Sequence, residues 1–183
     1  MTMPQAPDAE ALYAQLLVLV RNWLARASMA AGNDSRAEPA IVGIYSGGAW
    51  LAERLHADLD LTTPFGVVSS TFHRDDFATR GLHPSANRTT LPFDVNGRTI
   101  LLVDDVLYTG RTTRAALNEL YDFGRPARVD LAVLIDRGGR ELPICAQLCA
   151  AQMVLPPMHM LALERDETQL QTMRLAFRLE SKA

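Results

Sequence analysis

The stretch Ile100-Leu101-Leu102-Val103-Asp104-Asp105-Val106-Leu107-Tyr108-Thr109-Gly110-Arg111-Thr112-Thr113 joins an apolar run to two adjacent acids and a turn rich in threonine and glycine. The apolar run predicts a strand that is buried on both faces and ends at the two acids. Ligands of open α/β sheets bind at the carboxyl ends of the strands. We therefore expect Asp104 and Asp105 to lie where a ligand binds.

The turn at residues 109–112 is expected to open a helix and to bind a phosphate group. At a helix N-terminus it would direct several backbone N–H groups and two hydroxyls outward. Gly110 would let the backbone approach the anion, and Arg111 would add charge at the rim. The alternative is that Asp104 and Asp105 cap the next helix and that the turn is an ordinary N-cap region. The combination of strand, acids and turn favours the phosphate site.

The rest of the sequence alternates between helical and strand patterns. Helices are predicted over about residues 8–29, from residue 46 and after residue 111, and strands over residues 40–45, 65–72, 99–103 and 129–135. This order predicts an α/β fold with an open, mostly parallel sheet and helices on both faces. After Pro143 the pattern weakens, and short strands are predicted near residues 153–154, 158–163 and 173–179.

The length of 183 residues, with 48% hydrophobic and 21% charged residues, is typical of one globular domain. We expect residues 1–183 to form that domain. Residues 73–98 are mostly polar and show no helical period, and a loop of this length inside a domain is usually functional. We expect this loop to act as a lid.

Composition excludes several classes of protein. The net charge of -3 is not the strongly basic balance of a dedicated nucleic-acid binder, and no DNA partner is expected. The apolar runs are much shorter than the roughly 18–20 residues of a membrane span. Residues 1–10 show no export signal, which favours a cytoplasmic location. Cys145 and Cys149 are expected to be buried small residues, and the histidines show no metal-ligand spacing.

Residues 103–113 resemble the 5-phosphoribosyl-1-pyrophosphate (PRPP) signature of the type I phosphoribosyltransferases. The match is to the PyrR branch, which comprises uracil phosphoribosyltransferases that also attenuate pyrimidine operons. Supporting segments lie at residues 42–44, 72–77, 91–95, 124–126 and 136–143. The resemblance covers about residues 40–143. It implies the type I phosphoribosyltransferase fold, with a small hood from the N- and C-terminal segments and a long flexible lid loop at about residues 73–98.

The resemblance implies a role for each segment of the site. The 5-phosphate of PRPP would be held by Thr109, Gly110, Arg111, Thr112 and Thr113. The ribose hydroxyls would be bound by Asp104 and Asp105, directly or through Mg²⁺. The pyrophosphate would meet the backbone amides of Ser46, Gly47 and Gly48, after a cis peptide at Tyr45–Ser46, and Arg74 on the lid. The base would lie near Val106, Tyr108, Asp136 and Arg137.

The implied reaction converts uracil and PRPP to UMP and diphosphate, in a homodimer or higher homo-oligomer. Tyr108 stands where purine-specific relatives carry an aspartate, which favours a pyrimidine. The alternatives are a UMP-responsive, RNA-binding attenuator of pyrimidine biosynthesis genes with little catalysis, and a phosphoribosyltransferase for another base.

Two departures from the PyrR pattern affect these expectations. Ser46-Gly47-Gly48 stands where PyrR proteins commonly have Thr-Arg-Gly, which removes a cation from the pyrophosphate region. Residues 144–156 contain no lysine or arginine, whereas PyrR attenuators carry basic residues there that help to bind messenger RNA. Because RNA affinity comes chiefly from phosphate neutralisation, we expect an enzyme with weak RNA binding.

Overall fold

A computed structural model of the chain describes residues 5–31, 38–69, 88–156, 158–166 and 174–181. The helices are α1 (Ala9–Ala31), α2 (Gly47–Asp58) and α3 (Arg111–Asp122). The strands are β1 (Ala40–Ile44), β2 (Gly66–Val68), β3 (Thr99–Leu107), β4 (Arg128–Asp136), β5 (Leu148–Gln152), β6 (His159–Asp166) and β7 (Arg174–Ser181). Most of the predicted lid, at residues 73–87, lies outside the described residues.

Strands β1 to β5 form one five-stranded sheet in the order β2-β1-β3-β4-β5, and every pair is parallel. All five residues of β1 are buried, as are residues 100–104 of β3. Continuous apolar strands of this kind are expected where helices cover both faces of a parallel sheet. The predicted fold class is therefore confirmed.

The two faces of the sheet are covered by different helices. On one face α1 and α2 pack with the sheet around Leu16, Leu51 and Leu101. On the other face Ala116 and Leu120 of α3 pack in the cluster that contains Ile100 and Leu102 of β3. Complete burial of a Leu side chain stabilises a fold by about 1.5–3 kcal/mol, so these apolar stripes fix each helix on its face.

Three boundaries differ from the sequence predictions. Strand β3 continues through both acids to Leu107, because its pairing with β4 extends to Asp136. The last strand of the sheet lies at Leu148–Gln152, so the strand predicted near residues 153–154 is wrong. Strand β2 spans Gly66–Val68, which is shorter than the prediction; residues 70–72 lie outside the described part of the chain.

The two cysteines also depart from the prediction. Both are free, but Cys145 is exposed and Cys149 is only half-buried. Cys145 lies in the loop between β4 and β5, shortly before β5 begins at Leu148, and the prediction of two buried cysteines is wrong for this residue.

Strands β6 and β7 form a separate antiparallel hairpin. Glu10 links it to the helices: its carboxylate accepts two hydrogen bonds from the Arg54 guanidinium, at 2.9 and 2.8 Å, and one from the backbone N–H of Leu175, at 2.7 Å. The hydrogen bonds from Arg54 lower the pKa of Glu10 below its ordinary value. This cluster joins α1, α2 and β7, and so fixes the hairpin beside the carboxyl end of the sheet.

In the part of the chain that the structure describes, none of the helices has the length and apolar character needed to span a membrane.

Candidate active site

A cavity of about 420 Å³ lies at the carboxyl end of the sheet, within the size range of small-molecule sites. Its lining comes from the start of α2, the end of β3, the start of α3 and the β6–β7 hairpin. The lining residues are Ser46, Gly47, Trp50, Asp104, Asp105, Val106, Leu107, Tyr108, Thr109, Gly110, Thr112, Thr113, Arg137, Met160, Leu161, Ala162, Leu163, Glu164, Arg178 and Glu180. The cavity therefore brings together residues from each segment that the sequence singled out, apart from the lid.

Asp104 and Asp105 both line the cavity from the last part of β3. Asp104 is buried, with 5% of its surface exposed, and Asp105 is half-buried. The carboxylate of Asp104 accepts the backbone N–H of Asp105 at 3.0 Å, and the carboxylate of Asp105 accepts that of Val106 at 2.9 Å. Each acid is thus oriented by the chain that follows it.

The donor set of the cavity fits Mg²⁺ only in part. Carboxylate oxygens are the ligands that Mg²⁺ prefers, and it is commonly bound by one or two carboxylates together with substrate phosphates and water. Among the described residues, no group of three or more histidines, cysteines or acids lies close enough to hold a metal ion. Asp104 and Asp105 therefore suit a metal that arrives with a phosphorylated substrate better than a metal held by protein alone.

The start of α3 has the geometry of a turn that could bind an anion. Thr109 Oγ1 accepts the N–H of Arg111 at 3.3 Å, and helix geometry leaves the N–H groups of Thr112 and Thr113 without intrahelical acceptors. The hydroxyl of Thr113 is buried and has no hydrogen-bond partner among the residues that the structure describes. An unsatisfied buried hydroxyl at a helix N-terminus, facing a cavity, is well suited to a phosphate oxygen.

The backbone conformation at residue 110 requires glycine. Its φ of 91° lies in the left-handed region that favours glycine, whereas a Cβ there would make only ordinary contacts, the nearest at 3.4 Å from Ile144. Arg111, by contrast, directs its guanidinium to Glu141, at 2.6 Å, and is absent from the cavity lining.

The segment before α2 contains the expected cis peptide between Tyr45 and Ser46. Ser46 and Gly47 line the cavity. Gly48 packs against β3 instead, since a Cβ there would lie 2.2 Å from the carbonyl oxygen of Val103. The two glycines thus bring the start of α2 close to β3, next to the acids.

The residues expected near the base separate into two groups. Val106, Tyr108 and Arg137 line the cavity, and the Arg137 guanidinium lies 3.9 Å from the centre of the Tyr108 ring. Asp136 is absent from the lining; its carboxylate pairs with Arg140 at 2.5 Å and accepts the N–H of Gly138 at 2.9 Å. Arg74, expected on the lid, lies outside the described residues.

Sequence reasoning predicted no site residue on the hairpin and did not place Trp50 in the site, although both line the cavity. Arg178 projects from β7 and pairs with Glu164 at 2.8 Å and with Glu180 at 2.5 Å. The apolar spacing of these segments predicts strands, but nothing in that spacing shows that the strands leave the main sheet and cover its carboxyl end.

Comparisons with known proteins identify the family of this chain. A model of the phosphoribosyl transferase domain matches residues 8–149. The "Bifunctional protein PyrR" of Ralstonia nicotianae is 49% identical over 178 residues, which cover 97% of each chain. That of Pseudomonas entomophila is 44% identical over 155 residues, which cover 85% of this chain and 84% of the relative.

Among solved structures, the hypoxanthine phosphoribosyltransferase of Trypanosoma cruzi superposes with a TM-score of 0.60. It shares 16% sequence identity, and the match covers 96% of this chain and 95% of that one. At this identity the likeness shows the fold alone, which is that of the type I phosphoribosyltransferases. Together with the extent of the sequence matches, it shows that the chain belongs to the phosphoribosyltransferase-domain family, in its PyrR branch.

Proposed function

We propose that this chain transfers the phosphoribosyl group of PRPP to uracil and releases diphosphate, giving UMP. The observation that carries the proposal is the cavity itself, in which Asp104 and Asp105 lie beside the start of α3 and the unpartnered hydroxyl of Thr113. In one cavity, the two acids would bind the ribose of PRPP and the turn would bind its 5-phosphate. The 49% identity to a protein named PyrR supports the choice of reaction.

The proposed roles follow the charges of the reaction. Breaking the bond to diphosphate builds positive charge on the ribose ring, which the carboxylates of Asp104 and Asp105 would stabilise. Residues 109–113 would bind the 5-phosphate. The negative charge of the diphosphate would meet the backbone at Ser46 and Gly47, with Arg74 contributed by the lid.

Mg²⁺ is the proposed cofactor and, when bound, neutralises negative charge on the diphosphate. Asp104 and Asp105 are the side chains that would hold it. Residues 73–98 would close over the site and exclude water, which would otherwise hydrolyse PRPP.

Uracil is the proposed base. Val106, Tyr108 and Arg137 would contact it, since all three line the cavity. Tyr108 offers no carboxylate to accept a proton from a purine nitrogen, and this favours a pyrimidine. Asp136, engaged by Arg140 and Gly138, contributes to the shape of the loop rather than to this contact.

The proposal is tested by incubating the chain with PRPP, Mg²⁺ and each of uracil, hypoxanthine and guanine, and measuring the nucleotide formed. We expect UMP from uracil, no UMP when EDTA removes Mg²⁺, and much slower turnover of the purines. Turnover of a purine at a higher kcat/KM than uracil would contradict the choice of base.

A regulatory function is the second candidate, because the relatives are named bifunctional. The arginines that remain near residues 125–140 are already engaged by the protein. Arg125 donates to the carbonyls of Tyr121 and Gly124, Arg128 pairs with Asp130, Arg137 stacks on Tyr108 and Arg140 pairs with Asp136. These contacts support weak RNA binding rather than a dedicated RNA surface.

The two candidates are distinguished by titrating a pyrimidine-leader stem-loop RNA with the chain at physiological salt, with and without UMP. We expect weak binding that falls with salt and is indifferent to sequence. Nanomolar binding that depends on UMP would favour the attenuator.

We further propose that residues 1–183 form one phosphoribosyltransferase domain, with the β6–β7 hairpin as its hood and residues 73–98 as its lid. The resemblance supports a cytoplasmic homodimer or higher homo-oligomer.

A further inference from the structure

The guanidinium of Arg140 joins three chain segments that meet at the cavity. One terminal nitrogen, Nη1, donates to the carbonyl oxygens of Leu107 at 3.3 Å, of Tyr108, and of Gly138 at 3.2 Å. Its Nε donates to the carbonyl of Ile144 at 3.0 Å. The other terminal nitrogen pairs with Asp136 at 2.5 Å. One side chain therefore ties the end of β3, the end of β4 and the loop after β4.

Two glycines place Arg140 in this position. Gly138 and Gly139 have φ values of 72° and 69°, in the left-handed region that favours glycine. They turn the chain after β4 back towards β3. A Cβ on Gly139 would lie 2.5 Å from Cε2 of Tyr108, so this turn also needs the smallest residue in order to pass the Tyr108 ring.

The loop after β4 holds the phosphate-binding turn at further points. The backbone N–H groups of Glu141 and Leu142 both donate to the carbonyl oxygen of Thr109, at 3.0 and 3.3 Å. The Arg137 guanidinium lies 3.9 Å from the centre of the Tyr108 ring. Tyr108 and Thr109 line the cavity and lead directly into the start of α3. Their position therefore depends on the loop that Arg140 closes.

We propose that Arg140 is a positioning residue for PRPP binding, which it supports by fixing Tyr108 and Thr109 at the start of the phosphate-binding turn. Asp136 orients the Arg140 guanidinium and shares this role. The proposal rests on the phosphoribosyltransferase activity proposed above. It requires the shape of the guanidinium rather than its charge alone, because the acceptors lie on different sides of the fork.

This requirement makes lysine an informative substitution. The ammonium group of lysine is a compact charge with three donors on one nitrogen, at the end of a flexible chain. It would retain the pairing with Asp136 but would not reach the carbonyls of Leu107 and Ile144 at the same time. If only the charge of Arg140 matters, Arg140→Lys should bind PRPP as the wild type does. If Arg140 positions the turn, Arg140→Lys should bind PRPP more weakly.

The test compares Arg140→Lys and Arg140→Met with Arg125→Met in the full chain. Arg125 is a matched control because its guanidinium also donates to backbone carbonyls, those of Tyr121 at 2.7 Å and Gly124 at 3.2 Å, near the far end of α3. For each variant we would measure kcat, the KM for PRPP and for uracil, the Kd for PRPP by calorimetry in the presence of Mg²⁺, and the midpoint of thermal unfolding.

We expect both Arg140 variants to raise the KM and Kd for PRPP by roughly 10- to 100-fold, since small displacements of a binding group have effects of this size. The KM for uracil should change much less, and Arg125→Met should match the wild type in every measurement. Wild-type PRPP affinity in Arg140→Lys would overturn the proposal. So would a lower unfolding midpoint in both Arg140 variants with unchanged PRPP affinity.

The calorimetric measurement separates this proposal from the proposed function. If the wild type binds PRPP but makes no UMP from uracil, the proposed reaction fails and the effect of Arg140 on PRPP affinity still decides the positioning role. A wild-type chain that does not bind PRPP would overturn both.

Discussion

Gly47 lies directly against the carboxylate of Asp105. A Cβ at Gly47 would be 2.6 Å from Oδ2 of Asp105 and 2.7 Å from its Cγ, closer than such atoms approach in proteins. The absence of a side chain at residue 47 therefore gives the Asp105 carboxylate its place at the start of α2, where the helix dipole favours negative charge. A side chain at residue 47, as in the Thr-Arg-Gly form of this segment, would require a different position for Asp105.

The first prediction concerns this contact. Gly47→Ala should displace the Asp105 carboxylate and lower kcat/KM for PRPP by roughly 10- to 100-fold, with little loss of stability because alanine is favourable within a helix. Steady-state kinetics and thermal unfolding would measure both effects.

Ala57→Gly provides the reciprocal control. Ala57 is exposed in the last turn of the same helix and is absent from the cavity lining, so the substitution should lower stability by about 1 kcal/mol without affecting kcat/KM. Unchanged kinetics in Gly47→Ala would contradict the importance of the contact with Asp105.

A second prediction concerns the unpartnered hydroxyl of Thr113. Thr113→Val keeps the shape of the side chain and removes a buried oxygen that has no partner, so the free protein should be at least as stable as the wild type. If this hydroxyl donates to the 5-phosphate, the Kd for PRPP should rise roughly 10- to 100-fold, the loss expected for a hydrogen bond to a charged group.

Thr63→Val is the control, because the Thr63 hydroxyl donates to Glu38 at 2.7 Å on the exposed surface. It should leave PRPP affinity unchanged. Equal PRPP affinity in Thr113→Val and the wild type would remove Thr113 from the phosphate site.

The third prediction concerns the stacking of Arg137 on Tyr108. Tyr108→Phe retains an aromatic ring beneath the guanidinium, whereas Tyr108→Leu removes it and with it about 0.5–2 kcal/mol of attraction. We expect the KM for uracil to stay near the wild-type value in Tyr108→Phe and to rise several-fold in Tyr108→Leu. If both variants are equally impaired, the hydroxyl of Tyr108 rather than its ring is the important group.

The fourth prediction concerns Glu10, which anchors the hairpin. Because the pKa of Glu10 is lower in the folded chain than in the unfolded one, its carboxylate stabilises the fold above the ordinary pKa of 4.5, and this contribution is lost as the pH falls through the lowered pKa. Glu10→Gln should therefore reduce the free energy of unfolding at pH 7, by about 1 kcal/mol for a partly exposed pair.

Denaturant unfolding at several pH values would measure this difference, which should shrink below pH 4.5 as the wild type becomes protonated. Glu53→Gln, at an exposed pair with Arg165, should have a smaller effect at every pH. A difference between wild type and Glu10→Gln that does not change with pH would contradict the role of the charged carboxylate.

Sequence reasoning was most successful where local pattern and tertiary environment agree. The apolar run of β3 is long and is followed by the turn of α3, so the central strand, the start of the helix after it and the parallel sheet were all predicted correctly. The end of β3 was not predicted correctly, because its last residues pair with β4 up to Asp136. This pairing depends on β4 and cannot be inferred from residues 104–107 alone.

Other parts could not be predicted for similar reasons. Strand β5 contains no β-branched or aromatic residue and is defined by its pairing with β4, whereas Val154, at the predicted position, is 92% exposed. The place of Asp136 beside Arg140 depends on two left-handed glycines, and the sequence shows the glycines but not the direction in which they turn the chain.

The decisive measurement is the formation of UMP from uracil and PRPP. It would compare the wild type with Asp104→Asn, Asp105→Asn and the double variant, each with Mg²⁺ and with EDTA. Asparagine keeps the size of each side chain and removes its charge, and thermal unfolding would verify that the variants fold. We expect Mg²⁺-dependent UMP formation by the wild type, a reduction of at least roughly 100-fold in each single variant, and no detectable product from the double variant. Uracil turnover that is absent from the wild type, or unchanged in the double variant, would contradict the assignment of this cavity as a uracil phosphoribosyltransferase site.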